Sequence, residues 1–330
     1  MDLAIANLTS PMVLFFVLGL VASLARSSLS VPEAAAKALA LYLMFAIGYK
    51  GGVSVAEHGL DASLISALLA GVLLSAVIPF IAFGLLRAVS GLSAIDAAAV
   101  AAHYGSISIV TFVAASSVLE SSGIAYEGYL VAVAAAMETP AILTALFLVA
   151  RQGGPGKAAA GPGGAGRMDA ETWREIFLNG SIVLLIGAFV IGWVTGPSGM
   201  AEISAFIDAP FKGVLCLFLL DMGLVAGRGM AASGRQLSLP VILFGLAMPL
   251  ISAALALALA ALLGLSLGGA VLLLTLSASA SYIAVPAAMR VALPEAQPSI
   301  YLTLSLGVTF PFNLAIGIPI YVWAAGLIAG

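Results

Sequence analysis

The sequence predicts an all-α polytopic membrane protein of about ten transmembrane helices, built as two inverted five-helix repeats with broken helices four and nine. Composition, apolar blocks and a weak internal repeat lead to this prediction. Of the 330 residues, 62% are hydrophobic and only 8% are charged, and the mean hydropathy is +1.19. Soluble domains carry about 25% charged residues. A water-soluble globular domain is therefore excluded.

The apolar blocks are separated by charges, proline and glycine clusters and polar turns. Each block is close to the roughly 20 residues that cross a bilayer as a helix. Taken in chain order, each block predicts one helix and each interruption predicts one loop. The predicted spans are 11–26, 34–50, 62–87, 94–119, 127–151, 175–195, 210–227, 238–263, 267–292 and 299–328.

A glycine-rich interruption follows the fifth span. Seven of the fifteen residues in 153–167 are glycine and two are proline. Such a stretch buries no apolar surface and is typical of a flexible linker. We therefore expect a first five-helix repeat (1–152), a flexible cytoplasmic linker (153–172) and a second, inverted five-helix repeat (173–330).

The two halves of the chain resemble each other weakly. A shift of 173 residues places 94–106 over 267–279 and matches two pairs of serines, and a shift of 171 matches Pro140 with Pro311. Because five spans is an odd number, the second half must enter the bilayer in the opposite orientation. Inverted repeats are typical of secondary transporters, which bind substrate near the bilayer midplane between the repeats.

Basic residues are divided unevenly between the two sides of the predicted bundle. Only Lys50 and Lys212 lie on one side, whereas ten of the 12 lysines and arginines lie on the other. Because cytoplasmic loops are enriched in basic residues, we expect the linker in the cytoplasm and both termini outside. No basic cluster is present, which argues against nucleic-acid binding. The ten residues are Arg26, Lys37, Arg87, Arg151, Lys157, Arg167, Arg174, Arg228, Arg235 and Arg290.

Polar residues interrupt the fourth and ninth spans. The fourth span carries glycine, serine and threonine within 103–111, and the ninth carries serines within 277–281, followed by Pro286. Serines at alternating positions share one side only in extended backbone, and proline disfavours helix just before it. Both spans are therefore predicted to be broken, with free N–H groups and hydroxyls that suit a small anion. The alternative is that these small residues only allow close helix packing.

Glu138 lies deep in the fifth span, where a carboxylate is costly unless it is paired, hydrated or protonated. Pro140 leaves the carbonyl of Ala136 without its usual donor, so hard oxygens that suit a cation are available nearby. We expect Glu138 to bind a coupling ion. The alternative is a protonated or hydrogen-bonded structural glutamate. Weaker ligands of the same cluster are Thr111, Thr309 and Asn313.

The remaining polar residues of the spans allow two interpretations each. Asp221, in the seventh span, either forms a structural ion pair with Lys50 or lines the pathway. His103 is either a wall residue of the cavity or a proton carrier. Cys216 is the single cysteine, and the two histidines lack the HExxH pattern, which excludes disulfides and a zinc hydrolase.

Several short motifs occur in order along the chain. They are GYKGG (48–52), AHYGSISIVT (102–111), ESSGIAYE (120–127), METPA (137–141) and SASAS (277–281), followed by Pro286, Pro298 and Ser299. In this order they resemble the sodium-dependent bicarbonate transporter (SbtA) family over nearly the whole chain. The chain departs from the cyanobacterial members at Ile109 and Val110, where they carry glycine and serine, and at Glu138 and Tyr282, where they carry aspartate.

The resemblance implies a symporter of the bacterial cytoplasmic membrane that takes up bicarbonate with sodium. It also implies a homotrimer and a PII-like regulatory protein on the cytoplasmic face. The substrate-binding positions that it implies are Gly105, Ser106, Ser108, Ser279 and Ser281. The sodium-binding positions are Thr111 and Glu138, to which the internal repeat adds Thr309 and Asn313.

We therefore predict a membrane-embedded secondary transporter, not an enzyme, that works by alternating access with Na⁺ as coupling ion and no organic cofactor. One alternative carries another small anion, such as an organic carboxylate, because serine hydroxyls and N–H groups do not select among small oxyanions. A channel is disfavoured by the repeat and by the buried Glu138. A serine hydrolase would need a general base beside its nucleophile. His103 lies three residues from Ser106, but no rigid nucleophile turn is evident.

Overall fold

The computed structural model describes residues 9–58, 62–151, 180–233 and 238–328, and within these ranges the chain is helical, without strands. Each of the ten predicted spans corresponds to one helix or to a pair of consecutive helices. The predicted linker, 153–172, lies outside the described residues. The all-α fold class is confirmed.

The helices are numbered here in chain order. The first five spans contain α1 (Pro11–Leu24), α2 (Glu33–His58), α3 (Ala62–Val89), α4 (Ala94–Gly105) with α5 (Ile109–Ser121), and α6 (Leu130–Ala136) with α7 (Glu138–Arg151). The last five contain α8 (Gly180–Ile207), α9 (Phe211–Ser233), α10 (Leu239–Leu263), α11 (Leu267–Ala278) with α12 (Ala284–Ala292), and α13 (Pro298–Gly326), which includes two π-helical stretches.

The described helices have the length and composition of a membrane bundle. Eight helical spans among the described residues are long and apolar enough to cross a bilayer, and α1 and α11 are shorter apolar helices. Many large apolar side chains on their outer faces are exposed, among them Val194, Leu262 and Trp323. In a bilayer these faces contact lipid rather than water. The polytopic membrane class is therefore confirmed.

One predicted helix end is wrong. α2 continues to His58 instead of ending at residue 50, because Gly52 lies against the backbone of Phe189 in α8 and serves close packing rather than a turn. The predicted end of the sixth span at residue 195 coincides with a kink in α8, which as a whole extends to Ile207. Gly196 adopts φ +57° and ψ −153°, which are not helical, so two helical segments meet there just before Pro197.

The first of two packed groups of helices consists of α1, α2, α8 and α9, called the scaffold below. α1 packs along α9, and α2 packs along α8. Gly19 of α1 lies against the backbone of Leu220, and Gly223 of α9 lies against the backbone of Phe16. Small residues allow helix backbones to approach closely inside a membrane. The scaffold is thus held by backbone-to-backbone packing.

The second group consists of α3 to α7 and α10 to α13, called the transport domain below. α4 packs against α3 and α7, α11 packs against α10 and the last part of α13, and α3 contacts α10. The residues of α4 and α11 are almost all buried. The two broken spans therefore occupy the centre of this domain.

The half-helices α4 and α11 begin and end in the same way. Each has 12 residues, and their positions differ by the 173 residues of the sequence alignment. The Ser93 hydroxyl caps α4 by accepting a hydrogen bond from the Asp96 N–H at 3.0 Å, and Ser266 caps α11 through the Gly269 N–H at 3.0 Å. Hydroxyl caps of this kind satisfy N–H groups that a helix start leaves unpaired.

Candidate functional site

The break in the fourth span has the extended backbone that the alternating serines predict. Ser106, which follows α4, has φ −86° and ψ −177°, and Ser108, which precedes α5, has φ −106° and ψ 108°. The Ser108 hydroxyl caps α5 by accepting from the Thr111 N–H at 3.2 Å, and the Thr111 hydroxyl donates to it at 2.9 Å. The predicted break is confirmed.

The ninth span is broken in the same manner. α11 ends before Ser279, whose φ of −84° and ψ of 164° are extended, and α12 begins two residues before Pro286. The Ser279 hydroxyl donates to the Leu276 carbonyl at 2.8 Å, and the Ser281 hydroxyl accepts from the Val285 N–H at 3.4 Å. This predicted break is also confirmed.

The two breaks lie against each other. The Ser108 N–H donates to the Ser279 hydroxyl at 2.8 Å, and the Ser281 N–H donates to the His103 carbonyl at 2.7 Å. All three serines and Ser106 are buried. Hydrogen bonds between the extended segments thus satisfy part of the backbone that the breaks expose, as buried polar groups require. We call this place the crossing.

Gly105 lies at the end of α4 and is enclosed by neighbouring helices. A side chain there would meet the Pro79 ring of α3 and the Ala141 methyl of α7. The glycine thus lets three helices approach at the crossing. Of the predicted substrate-binding residues, it is the one whose position is explained by packing alone.

Glu138 is 8% exposed and lies at the first position of α7. Its Oε2 accepts a hydrogen bond from the Ser106 hydroxyl. No described lysine or arginine pairs with it. The structure therefore brings the predicted sodium-binding carboxylate into direct contact with a predicted substrate-binding serine, across the end of α4.

Ser75 of α3 interrupts the helical hydrogen bonding of the fifth span beside Glu138. This role was not predicted from the sequence. The Ser75 hydroxyl donates to the Met137 carbonyl and accepts from the Ala141 N–H at 3.1 Å. It thereby stands between two groups that would bond to each other in a continuous α-helix. A lone serine in the apolar stretch 72–79, four residues before Pro79, was the available signal.

Asn313 of α13 holds the end of α11. Its Nδ2 donates to the Ala278 carbonyl at 2.8 Å, and its Oδ1 accepts from the Tyr321 hydroxyl at 2.6 Å. Asn313 thus contacts the ninth span just where Glu138 contacts the fourth. It begins one of the π-helical stretches of α13, a deviation that is frequent at functional sites.

Thr309 belongs to a separate set of hydrogen bonds. Its hydroxyl donates to the Gly245 carbonyl of α10 at 2.8 Å and also bonds with the Tyr104 hydroxyl. None of the hydrogen bonds that the structure shows for Thr309 reaches Glu138 or the serines. The expected grouping of Thr309 with Glu138 is therefore not seen in direct contacts.

A cavity of about 10 Å³ lies at the crossing, between the scaffold and the transport domain. Glu138, Ser108 and Ser281 supply its polar atoms, and Tyr282 closes one side. Its volume is close to what a single water molecule needs. The cavity is lined by Met44, Ile107, Ser108, Ile109, Glu138, Ser281, Tyr282 and Ile283.

This geometry can be compared with known protein families. A model of the Na⁺-dependent bicarbonate transporter superfamily matches residues 11–326. The chain belongs to this superfamily. The match includes every helix and both breaks, which confirms the resemblance seen in the motifs. No curated protein matches the chain.

Membership implies a membrane transporter, and the description of the superfamily implies sodium-dependent transport of bicarbonate. The crossing is consistent with this chemistry. It places hydroxyl and N–H donors, which suit an anion, next to carboxylate and carbonyl oxygens, which suit a cation. The two kinds of group lie within one buried layer.

His103 lies in this layer, but its described hydrogen bonds do not include one to a serine side chain. Its Nδ1 bonds with the Ala99 carbonyl at 2.6 Å, and its ring stacks on Tyr301 with centroids 4.3 Å apart. The buried Nε2 has no hydrogen bond to any described residue. The Ser106 hydroxyl bonds to Glu138 instead. The described geometry therefore lacks the Ser–His contact of a serine hydrolase.

Of the two interpretations of Asp221, the structural ion pair with Lys50 is wrong. Lys50 Nζ lies 2.6 Å from Oδ1 of Asp208, which is in the short connection between α8 and α9. Residue 50 faces this connection because α2 continues beyond it and packs along α8. Asp221 is buried in α9.

Proposed function

We propose that this chain is a secondary active symporter that couples sodium entry to bicarbonate uptake across the bacterial cytoplasmic membrane. The observation that carries the proposal is the crossing, where the Ser108 N–H bonds with Ser279 and Glu138 bonds with Ser106. Two broken helices that meet at membrane depth are characteristic of secondary transporters. Irregular backbone at this depth is tolerated where it is enclosed or lines a cavity.

The anion would bind between the two breaks. The N-terminal ends of α5 and α12 face the crossing, and helix N-termini favour negative charge. Serine hydroxyls add donors without adding charge. The predicted anion ligands are Ser106, Ser108, Ser279 and Ser281, with Gly105 allowing the close approach of the helices.

Sodium would bind on the side of Glu138. The carboxylate offers hard oxygens, and the C-terminal ends of α4 and α11 present carbonyl groups toward the same layer. The hydroxyl of Thr111, a proposed sodium ligand, donates to the hydroxyl of Ser108, a proposed anion ligand. The two proposed sites are therefore linked by a hydrogen bond. Asn313 contributes an equivalent polar group at the end of α11, whereas Thr309, which bonds to Gly245 and Tyr104, is a weaker candidate ligand.

The description of the superfamily favours bicarbonate over other carboxylates. The cavity at the crossing, about 10 Å³, holds about one water molecule, so either anion would enter it only after the two domains separate. An organic carboxylate remains the second candidate, because the same donors would bind its head group. Competition of acetate and formate with labelled bicarbonate distinguishes these substrates directly.

Alternating access would arise from movement of the transport domain against the scaffold. The equal lengths and caps of α4 and α11 support an inverted repeat. So do the connections that dock on each helix start: the Gln297 N–H donates to Asp96 at 2.9 Å, and Ser266 donates to Glu127 at 2.9 Å. The proposal also places the linker in the cytoplasm. It further includes assembly as a homotrimer and binding of a PII-like regulatory protein on the cytoplasmic face.

Uptake of labelled bicarbonate into proteoliposomes tests the proposal. We expect an inward sodium gradient to drive uptake, replacement of sodium by potassium to remove that uptake, and Glu138→Gln to abolish the sodium dependence. Glu202→Gln is the matched control, because Glu202 is exposed near the end of α8. Uptake that is indifferent to sodium would disprove symport, and sodium-driven uptake that survives Glu138→Gln would remove Glu138 from coupling.

A further inference from the structure

A larger cavity of about 180 Å³ lies between the scaffold and the transport domain, separate from the crossing. Ile47 and Phe112 line this cavity, whereas Met44 and Ile109, one turn away on the same helices, line the cavity at the crossing. The two cavities thus follow each other along α2 and α5. The larger one is lined by Ile47, Lys50, Gly51, Ser54, Phe112, Ser116, Glu120, Tyr126, Gly128, Val131 and Phe211.

Lys50 is the cationic side chain in the wall of this cavity. It lies eight residues before the end of α2, and a lysine so far inside a membrane-spanning helix marks a functional site by default. The Lys50 ammonium group lies 2.6 Å from Oδ1 of Asp208 and 5.0 Å from the centroid of the Phe211 ring. An ammonium group has three donors, so Asp208 leaves donors for a ligand in the cavity.

The two carboxylates near this cavity are more exposed than Lys50. The Asp208 side chain is 50% exposed, compared with 31% for Lys50, and Glu120 is also exposed. Glu120 lies eight residues beyond Phe112 on α5, about 12 Å along the helix, whereas Lys50 is one turn from Ile47. The positive charge is therefore nearer to the crossing than the Glu120 charge.

Hydroxyl groups complete the polar wall. The Tyr126 hydroxyl donates to Glu120 Oε1 at 3.0 Å. Burial and the neighbouring Glu120 carboxylate raise the pKa of Tyr126 above its ordinary value, so the phenol keeps the proton that it donates to Glu120. Ser54 and Ser116 line the cavity from α2 and α5. The Ser116 hydroxyl donates to the Val113 carbonyl and the Tyr126 hydroxyl donates to Glu120. The ammonium group of Lys50 is therefore the donor in this wall that we expect to hold a small oxyanion.

We propose that this cavity is a second, outer binding site for the transported anion, in which Lys50 holds a small monovalent oxyanion before it reaches the crossing. The inference rests on the proposed function, because it assigns the anion route to the side of α2 and α5. Ile47 and Phe112 then form the apolar floor that separates this site from the crossing. Asp208 competes with the anion for the ammonium group of Lys50.

Two substitutions separate anion binding from a structural ion pair. Lys50→Met is expected to raise the KM for bicarbonate about tenfold, the effect of losing a charge-assisted hydrogen bond, with the sodium dependence unchanged. Asp208→Asn is expected to lower that KM, because it releases Lys50 for the anion. Equal impairment by both substitutions, or an unchanged KM in Lys50→Met, would overturn the proposal.

A chemical test does not depend on transport. Ser54→Cys in a Cys216→Ala background would be labelled with an anionic and with a cationic methanethiosulfonate reagent. We expect Lys50→Met to lower the ratio of the anionic to the cationic rate about tenfold, because Lys50 raises the local concentration of anions. An unchanged ratio, or a thiol that neither reagent reaches, would overturn the proposal even if uptake is measured. Absence of uptake with a changed ratio would instead reject the proposed function.

Discussion

Glu138 is stabilised in the membrane-spanning layer by two polar side chains from other helices. Ser106 donates to its carboxylate, and Ser75 bonds to the backbone of Met137 and Ala141 on either side of it. A buried carboxylate without hydrogen bonds is expensive in a bilayer. Ser75 therefore positions the residue that we expect to bind sodium, although it need not contact the ion.

We expect Ser75→Ala to raise the sodium concentration required for half-maximal uptake several-fold. Without the hydroxyl, the Met137 carbonyl and the Ala141 N–H can bond to each other and move Glu138 away from Ser106. Ser75→Thr keeps the hydroxyl and should restore much of the sodium affinity. Sodium titration of bicarbonate uptake makes the comparison.

The matched control for this experiment is Ser90→Ala at the end of α3, whose hydroxyl bonds only within its own segment. A loss of maximal uptake in Ser75→Ala without a change in sodium affinity would contradict the positioning role. So would failure of the threonine variant in protein that remains folded.

At the level of helices, the scaffold depends on backbone contact between α2 and α8. A side chain at Gly52 of α2 would collide with the Phe189 carbonyl, and a side chain at Gly192 of α8 would collide with the Tyr49 carbonyl. Backbone atoms cannot move away as a flexible side chain can. The glycine run 48–52 is therefore required by packing within a continuous helix, although its composition alone is equally typical of a helix end.

We expect Gly52→Ala to destabilise the protein by about 1–3 kcal/mol through overpacking. Gly84→Ala in α3 is the matched control, because a methyl group there meets no heavy atom within 4 Å. The midpoint of thermal unfolding in detergent should fall for the first variant and stay constant or rise slightly for the second. Equal midpoints would contradict the packing argument.

At the level of the whole molecule, aromatic and aliphatic side chains form much of the contact between scaffold and transport domain. The ring of Phe16 packs edge-on against Phe310 with centroids 5.3 Å apart, and Phe310 also contacts Tyr282 at 5.5 Å. Met44 faces the crossing beside Ile283. Such contacts lack the direction of hydrogen bonds, which supports the proposed movement of one domain against the other.

We expect a reversible cross-link between Ile47→Cys and Phe112→Cys to stop uptake, because it would tie α2 of the scaffold to α5 of the transport domain. Both residues line the larger cavity, of about 180 Å³. A short bifunctional methanethiosulfonate reagent would form the link in a Cys216→Ala background, and a reductant should restore uptake.

The control cross-link lies within the scaffold, between Tyr49→Cys and Thr195→Cys, whose native hydroxyls are 2.6 Å apart. We expect it to leave uptake largely unchanged. Full uptake with the link between α2 and α5 in place would contradict movement of the two domains.

Hydropathy, segment length and residue period alone determined the membrane class, the number of spans and both breaks. These features depend on local chemistry: about 20 apolar residues cross a bilayer, alternating serines share a side only in extended backbone, and proline restricts the residues before it. Glu138 was recognisable for the same reason, since a carboxylate in an apolar span requires an explanation in any fold.

Only the tertiary structure decided which side chains meet. Lys50 pairs with Asp208 instead of Asp221, Ser75 reaches Met137 across 62 residues, and Ser108 bonds to Ser279 across 171 residues. Such contacts depend on which helix faces pack together, and apolar spans of similar composition leave that choice open. The backbone-to-backbone packing of α2 on α8 and the mutual contact of the two breaks determine it in this protein.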